Sequence, residues 1–293
     1  MSKLGWSNPH SPMDMWVEER HKDYYGTRFR CKKVLFSGKS DYQYIDVVET
    51  ASHGRMLLND GIVMFSDRDE FIYHEMMAHV PLFTHPLPKR VLIIGGGDGG
   101  VAREVLRHKS VDQCVLVEID KMVVEVSKKY FPKISCSFKN PKLQLKIEDG
   151  VLFVKEVSQN FDVILVDSTD PFGPAKDLFS EVFYKNVHQL LSEEGLLVVQ
   201  AESPFFEIPT QKFILQSLKK IFPLTTLYNY SNTVYPGGLW SFVFASKKHH
   251  PIKNFRKNKL KQIAWNLSYY NEDIHKAAFA QPSFVKKELK NII

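Results

Sequence analysis

The sequence predicts an α/β protein: a doubly wound, mostly parallel sheet preceded by a small antiparallel β domain. Two patterns carry this. From about residue 90 onward, continuous apolar runs end in glycine or an acid, and each is followed by an amphipathic helical segment, which is how strands of a parallel sheet covered on both faces read. Before that, short runs of period two are bounded by Ser-Gly, His-Gly and Asp-Gly, the punctuation of hairpins. A chain of 293 residues suits one large α/β domain with a smaller appendage, and we place the boundary between residues 1–66 and 67–293.

Element by element, YYGTRFRCKKVLFSG, DYQYIDVVET and GRMLLNDGIVMFS supply the N-terminal strands and turns. From Arg68 the texture changes: RDEFIYHEMMAHVPLF has apolar residues at helical spacing, and Pro86 and Pro88 close it. Then strand and helix candidates alternate: KRVLIIGGG and VAREVLRH, QCVLVEID and KMVVEVSKKYF, LQLKIED and GVLFVKEV, and then the strand FDVILVDS. EVFYKNVHQLL with GLLVVQAES, and QKFILQSLKKIF with TTLYNYSNTVYPGGLWSFVFAS, extend the sheet, the last piece as antiparallel strands.

Bulk properties exclude several classes. With 44% hydrophobic and 25% charged residues and no repeat or low-complexity tract, disordered and solenoid readings fail. No apolar run approaches a membrane span, and the N-terminus lacks a signal pattern, so a cytoplasmic protein without a membrane partner is expected. Cys31, Cys114 and Cys136 form no C-x-x-C pair and read as free thiols. The net charge of +6 raises the question of a polyanionic partner, but its excess sits in KKHHPIKNFRKNKLKQ at 247–262, read as a solvated basic connector; His249 and His250 lack further ligand-type residues at metal spacing.

The chemistry gathers where a parallel sheet binds ligands, beyond the carboxyl ends of its strands. The first strand runs into GGGDGG, whose Gly95, Gly97 and Gly100 fit G-x-G-x-x-G around Asp98; the next ends in Glu118, the third in Asp149 and Gly150, the fourth in Asp167 and Asp170. Helix N-capping explains any one of these acids, since Asp is a favoured cap, but explains all five poorly. Glu118, about twenty residues past the glycines, suits both ribose hydroxyls of an adenosine-bearing ligand, whether a dinucleotide or an S-adenosyl compound. Asp98 separates the two. A carboxylate near a pyrophosphate opposes it by on the order of 4 kcal/mol at about 4 Å and an effective dielectric near 20. A cationic tail reverses the sign. The loop thus points to an adenosine ligand whose other part is cationic, with Asp167 and Asp170 adding negative charge for it or for a second cationic substrate. Magnesium, which recruits phosphates as co-ligands, is disfavoured by the same loop.

These residues resemble the polyamine aminopropyltransferases, the spermidine synthase family, over nearly the whole chain. The carriers are LNDGIVMFSDRDEFIYHEMMAHVPLF, VLIIGGGDGGVAREVLRH, VEID, the EDG step, DVILVDSTDPFGPAKDLFSEVFY, VYPGGLWSFVFASK and YYNEDIHKAAFAQPSFV. The resemblance implies a Rossmann-like, methyltransferase-type domain that transfers the aminopropyl group of decarboxylated S-adenosylmethionine, a co-substrate rather than a cofactor, to putrescine, as a homodimer or homotetramer. It implies Asp98 for the aminopropyl ammonium, Glu118 for the ribose, Asp149 with Gly150 for the adenine edge, and Pro174 and Gln43 for the nucleoside. Tyr73, His74, Asp170 and Tyr235 would place the diamine, and Asp167 would act as the base. Gly237 departs from the Ser or Thr often found in the family's Tyr-Pro-x-Gly loop, which is expected to loosen the loop carrying Tyr235.

The chemistry of the residues agrees with that implication. An amine nucleophile has a reference pKa near about 10.4 and must lose a proton before attack, which Asp167 can take. A sulfonium is already a good leaving group, so alignment of nucleophile, carbon and sulfur supplies much of the acceleration, with no metal required. The alternatives are another acceptor such as spermidine or agmatine, methyl transfer to an amine from intact S-adenosylmethionine, and a nucleic-acid binding module using residues 247–262. Unaided, Tyr73 and His74 also read as half-buried packing, Tyr235 as a surface aromatic, Gln43 as an uninformative strand residue, and Trp16 and Trp240 as packing residues.

Overall fold

The computed structural model describes residues 15–21, 24–170, 173–262 and 265–293. The first five strands, β1 (Met15–His21), β2 (Tyr25–Lys39), β3 (Tyr44–Thr50), β4 (Arg55–Asn59) and β5 (Ile62–Ser66), form one antiparallel sheet in sequence order. The Asp-Gly signal marks a two-residue hairpin: Asn59 pairs with Ile62, and Asp60 and Gly61 both take positive φ, 49° and 79°, as a type I′ turn requires. β1 is a strand beyond those expected from the sequence, its residues MWVEERH carrying no clear period of two.

The second sheet has seven strands: β6 (Arg90–Gly95), β7 (Gln113–Glu118), β8 (Leu143–Ile147), β9 (Phe161–Asp167), β10 (Leu191–Gln200), β11 (Leu224–Ser231) and β12 (Leu239–Ser246). Their order is β11-β12-β10-β9-β6-β7-β8, parallel from β10 to β8, with β12 antiparallel to both β10 and β11. From β6 the chain winds outward one way through β7 and β8, then returns to β9 on the other side. A crevice therefore opens between the carboxyl ends of β6 and β9.

Both faces of this sheet are covered. Leu92 and Ile94 point to a core shared with α4 (Gly150–Glu156), α5 (Glu181–Leu190) and α6 (Ile208–Lys219), while Val91 and Ile93 point to a core shared with α1 (Glu70–Thr84) and α2 (Gly100–Arg107). The period of two explains why such strands read as unbroken apolar runs. α3 (Lys121–Tyr130) joins the two sheets, packing Val123 and Val126 against Ile45, Val47 and Leu57. Short helices α7 (Lys257–Lys261), α8 (Glu272–Ala277) and α9 (Ser283–Glu288) follow. Within the basic stretch, Arg256 donates to the carbonyls of Leu82 and Pro86, so one of its charges closes the C-terminal end of α1. Among the described residues no helix is long and apolar enough to cross a membrane.

Candidate active site

The loop after β6 is shaped by what it must approach. Gly96 has φ +67°, and a Cβ there would lie 2.6 Å from Asp167 Oδ2; its N–H donates to the Asp167 carbonyl at 3.0 Å. A Cβ on Gly100 would lie 2.3 Å from the His74 ring, so only glycine lets α1 and α2 meet with that imidazole between them. Around the loop opens a cavity of about 180 Å³.

At one end of the cavity Glu118 closes β7. Its Oε2 accepts the Gly97 N–H at 3.1 Å and its Oε1 the Asp120 N–H at 2.8 Å. Burial pushes its pKa up to about 7, with the charges of Asp120 and Asp167 adding to the rise and the backbone donors opposing it. Asp149 caps α4, accepting from the N–H groups of Val151 and Leu152 at 2.7 and 3.3 Å, so the capping reading holds for this acid even though it also borders the cavity. Gly150 lets α4 seat against β6: a Cβ would fall 2.5 Å from Ile94 Cγ2. Gln43 stands just before β3 and not within a strand. Its Nε2 donates to Asp120 Oδ2 at 2.9 Å beside Ser40 Oγ at 2.7 Å, tying the N-terminal sheet to the N-cap of α3. Pro174 belongs to a 3-10 turn, Gly173–Phe179, but its side chain lies outside the described residues.

Midway, two helical side chains meet two acids. Tyr73 donates to Asp167 Oδ1 at 2.7 Å, and the buried Asp167 Oδ2 has no hydrogen-bond partner among the described residues. Burial and the nearby Asp98 carboxylate raise Asp167 to about 7, against the lowering effects of His74 and Tyr73. Asp98 Oδ1 accepts the Gly100 N–H at 2.6 Å and lies 3.3 Å from His74 Nε2. On its other side His74 Nδ1 meets Glu70 Oε2 at 2.5 Å, and Glu70 in turn accepts two bonds from Arg103 at 3.0 and 2.8 Å.

At the far end Asp170 follows β9 and Glu202 follows β10. The two carboxyl groups are in hydrogen-bond contact, and Gln200 Nε2 reaches both, at 3.4 and 3.3 Å. Burial, and then the charge of Asp170, push Glu202 far above the usual carboxylate range, which favours a proton held between the two carboxyl groups. Glu202 is also a non-glycine residue at φ +64°, a strain held by Gln211 Nε2, which donates to its carbonyl at 3.1 Å. Glu19 of β1 borders the same region, with burial raising it to about 7 and Asp170 adding to the rise. Tyr235 is no surface aromatic. Its hydroxyl donates to the Met64 carbonyl at 2.5 Å, and its ring packs on Trp240. Gly237 has φ +76°, with the Phe206 ring 2.9 Å from where a Cβ would stand.

Comparison with known proteins places this geometry. The family model of the spermine/spermidine synthase domain matches residues 70–258, and that of the spermidine synthase tetramerisation domain matches residues 15–67. The polyamine aminopropyltransferase of Alkaliphilus metalliredigens is 45% identical over 281 residues, 95% of this chain and 99% of the relative. That of Caldicellulosiruptor bescii is 46% identical over 278 residues, 95% and 99% of the two chains. The chain belongs to the spermine/spermidine synthase family.

Members of this family are polyamine aminopropyltransferases, and solved spermidine synthases share the fold closely. The crystal structure of a spermidine synthase in complex with the transition state analogue AdoDATO has a TM-score of 0.92 and 44% identity, covering 94% of each chain. That of the Thermotoga maritima spermidine synthase has a TM-score of 0.90 and 42% identity, covering 95% of each. The expected Rossmann-like sheet and N-terminal antiparallel β domain are thus those of the spermidine synthases. Of the residues expected from the sequence, Gln43, Tyr73, His74, Asp98, Glu118, Asp149, Gly150, Asp167, Asp170 and Tyr235 line one cavity. Sequence reasoning missed Glu19, Glu70, Arg103, Gln200 and Glu202. The rule that found the other acids, a carboxylate just beyond a strand, applies equally to Glu202 after GLLVVQA.

Proposed function

We propose that this aminopropyltransferase moves the aminopropyl group of decarboxylated S-adenosylmethionine to putrescine, giving spermidine and methylthioadenosine. One observation carries the reading. Seven carboxylates border the cavity, those of Glu19, Glu70, Asp98, Glu118, Asp149, Asp167 and Asp170, while no Lys or Arg stands among its described lining residues. Such a pocket favours cations along its whole length, and a diamine is charged at both ends.

In this reading Glu118 takes the ribose, Asp149 with Gly150 the adenine edge, Gln43 and Pro174 border the nucleoside, and Asp98 takes the aminopropyl ammonium. A carboxylate on the donor would face Asp98 directly, so the intact donor is disfavoured. Tyr73, His74, Asp170 and Tyr235 place the diamine, and the Asp170–Glu202 pair sits where its distal ammonium can replace a shared proton. At the reacting end, Asp167 Oδ2 accepts a proton from the attacking ammonium. The freed nitrogen lone pair then forms the N–C bond while the C–S bond breaks, and the sulfonium leaves as a neutral thioether. The near-neutral pKa of Asp167 supports its use as a base at physiological pH.

The catalytic domain of this reading spans residues 67–293 behind a domain of residues 1–66, in a cytoplasmic homodimer or homotetramer; the match of residues 15–67 to a tetramerisation domain supports the assembly. The test is a matrix of two donors and a series of acceptors, read by mass spectrometry. Spermidine formed from putrescine and the decarboxylated donor is expected. Turnover with intact S-adenosylmethionine alone, or a clear kcat/KM preference for agmatine or spermidine over putrescine, would sink it.

A further inference from the structure

His74 is held on every side, which makes the proton positions on its ring readable. Its ring stacks over Gly100 and meets the Tyr73 and Phe65 rings edge-on at 5.8 and 6.2 Å. The charged groups facing it are Glu70 from α1, Arg103 from α2, Asp98 from the glycine loop and Asp167 from β9. Glu70 lies one turn before His74, the spacing that stacks two side chains on one helix face. Arg103 grips both of its oxygens and also donates from Nε to Glu104 at 2.7 Å.

An ionised carboxylate only accepts hydrogen bonds, so the 2.5 Å contact puts a proton on His74 Nδ1. Burial opposes the charge on Glu70, but His74 and Arg103 outweigh it and hold the acid down to about 2. Burial likewise works against the imidazolium, and Asp98 and Glu70 outweigh it, for a net rise above the usual histidine value. Nε2 stands 3.3 Å from Asp98 Oδ1 outside hydrogen-bond geometry, and the Asp98 charge favours a proton there in the ligand-free enzyme. An ammonium arriving at Asp98 meets that N–H with like charge. If the proton leaves to solvent, one positive charge replaces another, and the Nε2 lone pair becomes an acceptor for the newcomer.

We propose that Glu70, clamped by Arg103, is a positioning residue that keeps a proton on His74 Nδ1, so that Nε2 holds its proton beside the Asp98 charge in the free enzyme and accepts from the substrate ammonium once that proton is displaced. This rests on the reading in which Asp98 takes the aminopropyl ammonium. Calorimetry of decarboxylated S-adenosylmethionine binding near neutral pH, in buffers of different ionisation heat, should read about one proton released per donor. Methylthioadenosine, which lacks the ammonium, should release about one proton fewer, and His74→Asn should abolish that difference. Nitrogen NMR of labelled histidine should show both His74 nitrogens protonated in the free enzyme and only Nδ1 protonated in the donor complex. Glu70→Gln keeps an oxygen for Nδ1 and should retain that tautomer, with KM for the donor raised about 10-fold and kcat little changed; Glu70→Leu should lose it. Equal proton release with donor and with methylthioadenosine, or Nε2 protonated in the donor complex, would overturn the proposal. Should Glu70→Leu fail to fold, the ring shifts of the unsubstituted enzyme decide. Failure of the donor to bind at all would instead strike the aminopropyl reading, and the free-enzyme tautomer in Glu70→Gln against Glu70→Leu would still judge Glu70.

Discussion

Tyr73 and Asp167, brought together from α1 and the end of β9, share a hydrogen bond of 2.7 Å that uses Asp167 Oδ1 and leaves Oδ2, beside Gly96, without a partner among the described residues. If Oδ2 is the proton acceptor, Asp167→Asn should lower kcat by about 10² to 10⁴ with the donor KM little changed. Steady-state kinetics at neutral pH checks this, and near-full turnover would refute the assignment.

The same bond sets a pH limb. Asp167 must be ionised to work, so kcat/KM should rise with pH through about 7, the value to which burial and Asp98 raise it. The Tyr73 hydroxyl lowers that value, so Tyr73→Phe should move the limb to higher pH. A pH–rate profile of the two proteins reads both expectations; an unmoved limb counts against Asp167 as the titrating group.

Asp98 is expected to govern donor choice. Asp98→Asn removes the charge yet keeps an oxygen for the Gly100 N–H, which Asp98 accepts at 2.6 Å. Its KM for the decarboxylated donor should rise about 10- to 100-fold, the worth of a hydrogen bond to a charged group. Its preference over intact S-adenosylmethionine should shrink in parallel. Competition binding of the two donors measures this, and an unchanged ratio would place the discrimination elsewhere.

Glu202→Gln should act on the acceptor alone. It lies with Asp170 at the far end of the site, so KM for the diamine should rise while KM for the nucleoside donor holds. Equal rises in both would argue for general disruption.

Asp167 should make the ligand-free enzyme less stable as pH rises. Asp167 has a folded-state pKa raised from 3.8 to about 7, so the native state binds the extra proton and stability drops as pH rises through that window. Asp167→Asn should therefore raise stability, and with it Tm, at pH 8 more than at pH 4, the stability difference being at most on the order of 4 kcal/mol. Thermal unfolding at the two pH values tests the sign. His74, whose folded-state pKa is raised, loses stabilisation as pH rises through that value, and so adds to the same trend.

The acids at Glu118, Asp149, Asp167 and Asp170 were legible because a parallel sheet sends every strand end to one rim, and an apolar run ending in an acid is visible in one dimension. Asp98 was legible because its charge conflicts with its glycine frame. What stayed hidden depends on long-range approach. Arg103 reaches Glu70 across 33 residues, and Gln43 reaches Asp120 across 77, contacts that no local period announces. Glu19 sits on β1, whose sequence MWVEERH offers too little alternation to stand out. The positive φ of Glu202 was unreadable because an acid gives no sign of left-handed backbone, whereas Asp60-Gly61 announced its turn through residue type.

The tie between Gln43 and Asp120 means that the small sheet is a wall of the reaction chamber. Met64 of that sheet supplies the carbonyl that anchors Tyr235, and Glu19 and Asn59 border the same cavity. Subunit contacts made by the sheet would therefore press on the Asp120 end of the cavity through α3. A neighbouring subunit would then be able to tune turnover without contributing a single atom to the chemistry.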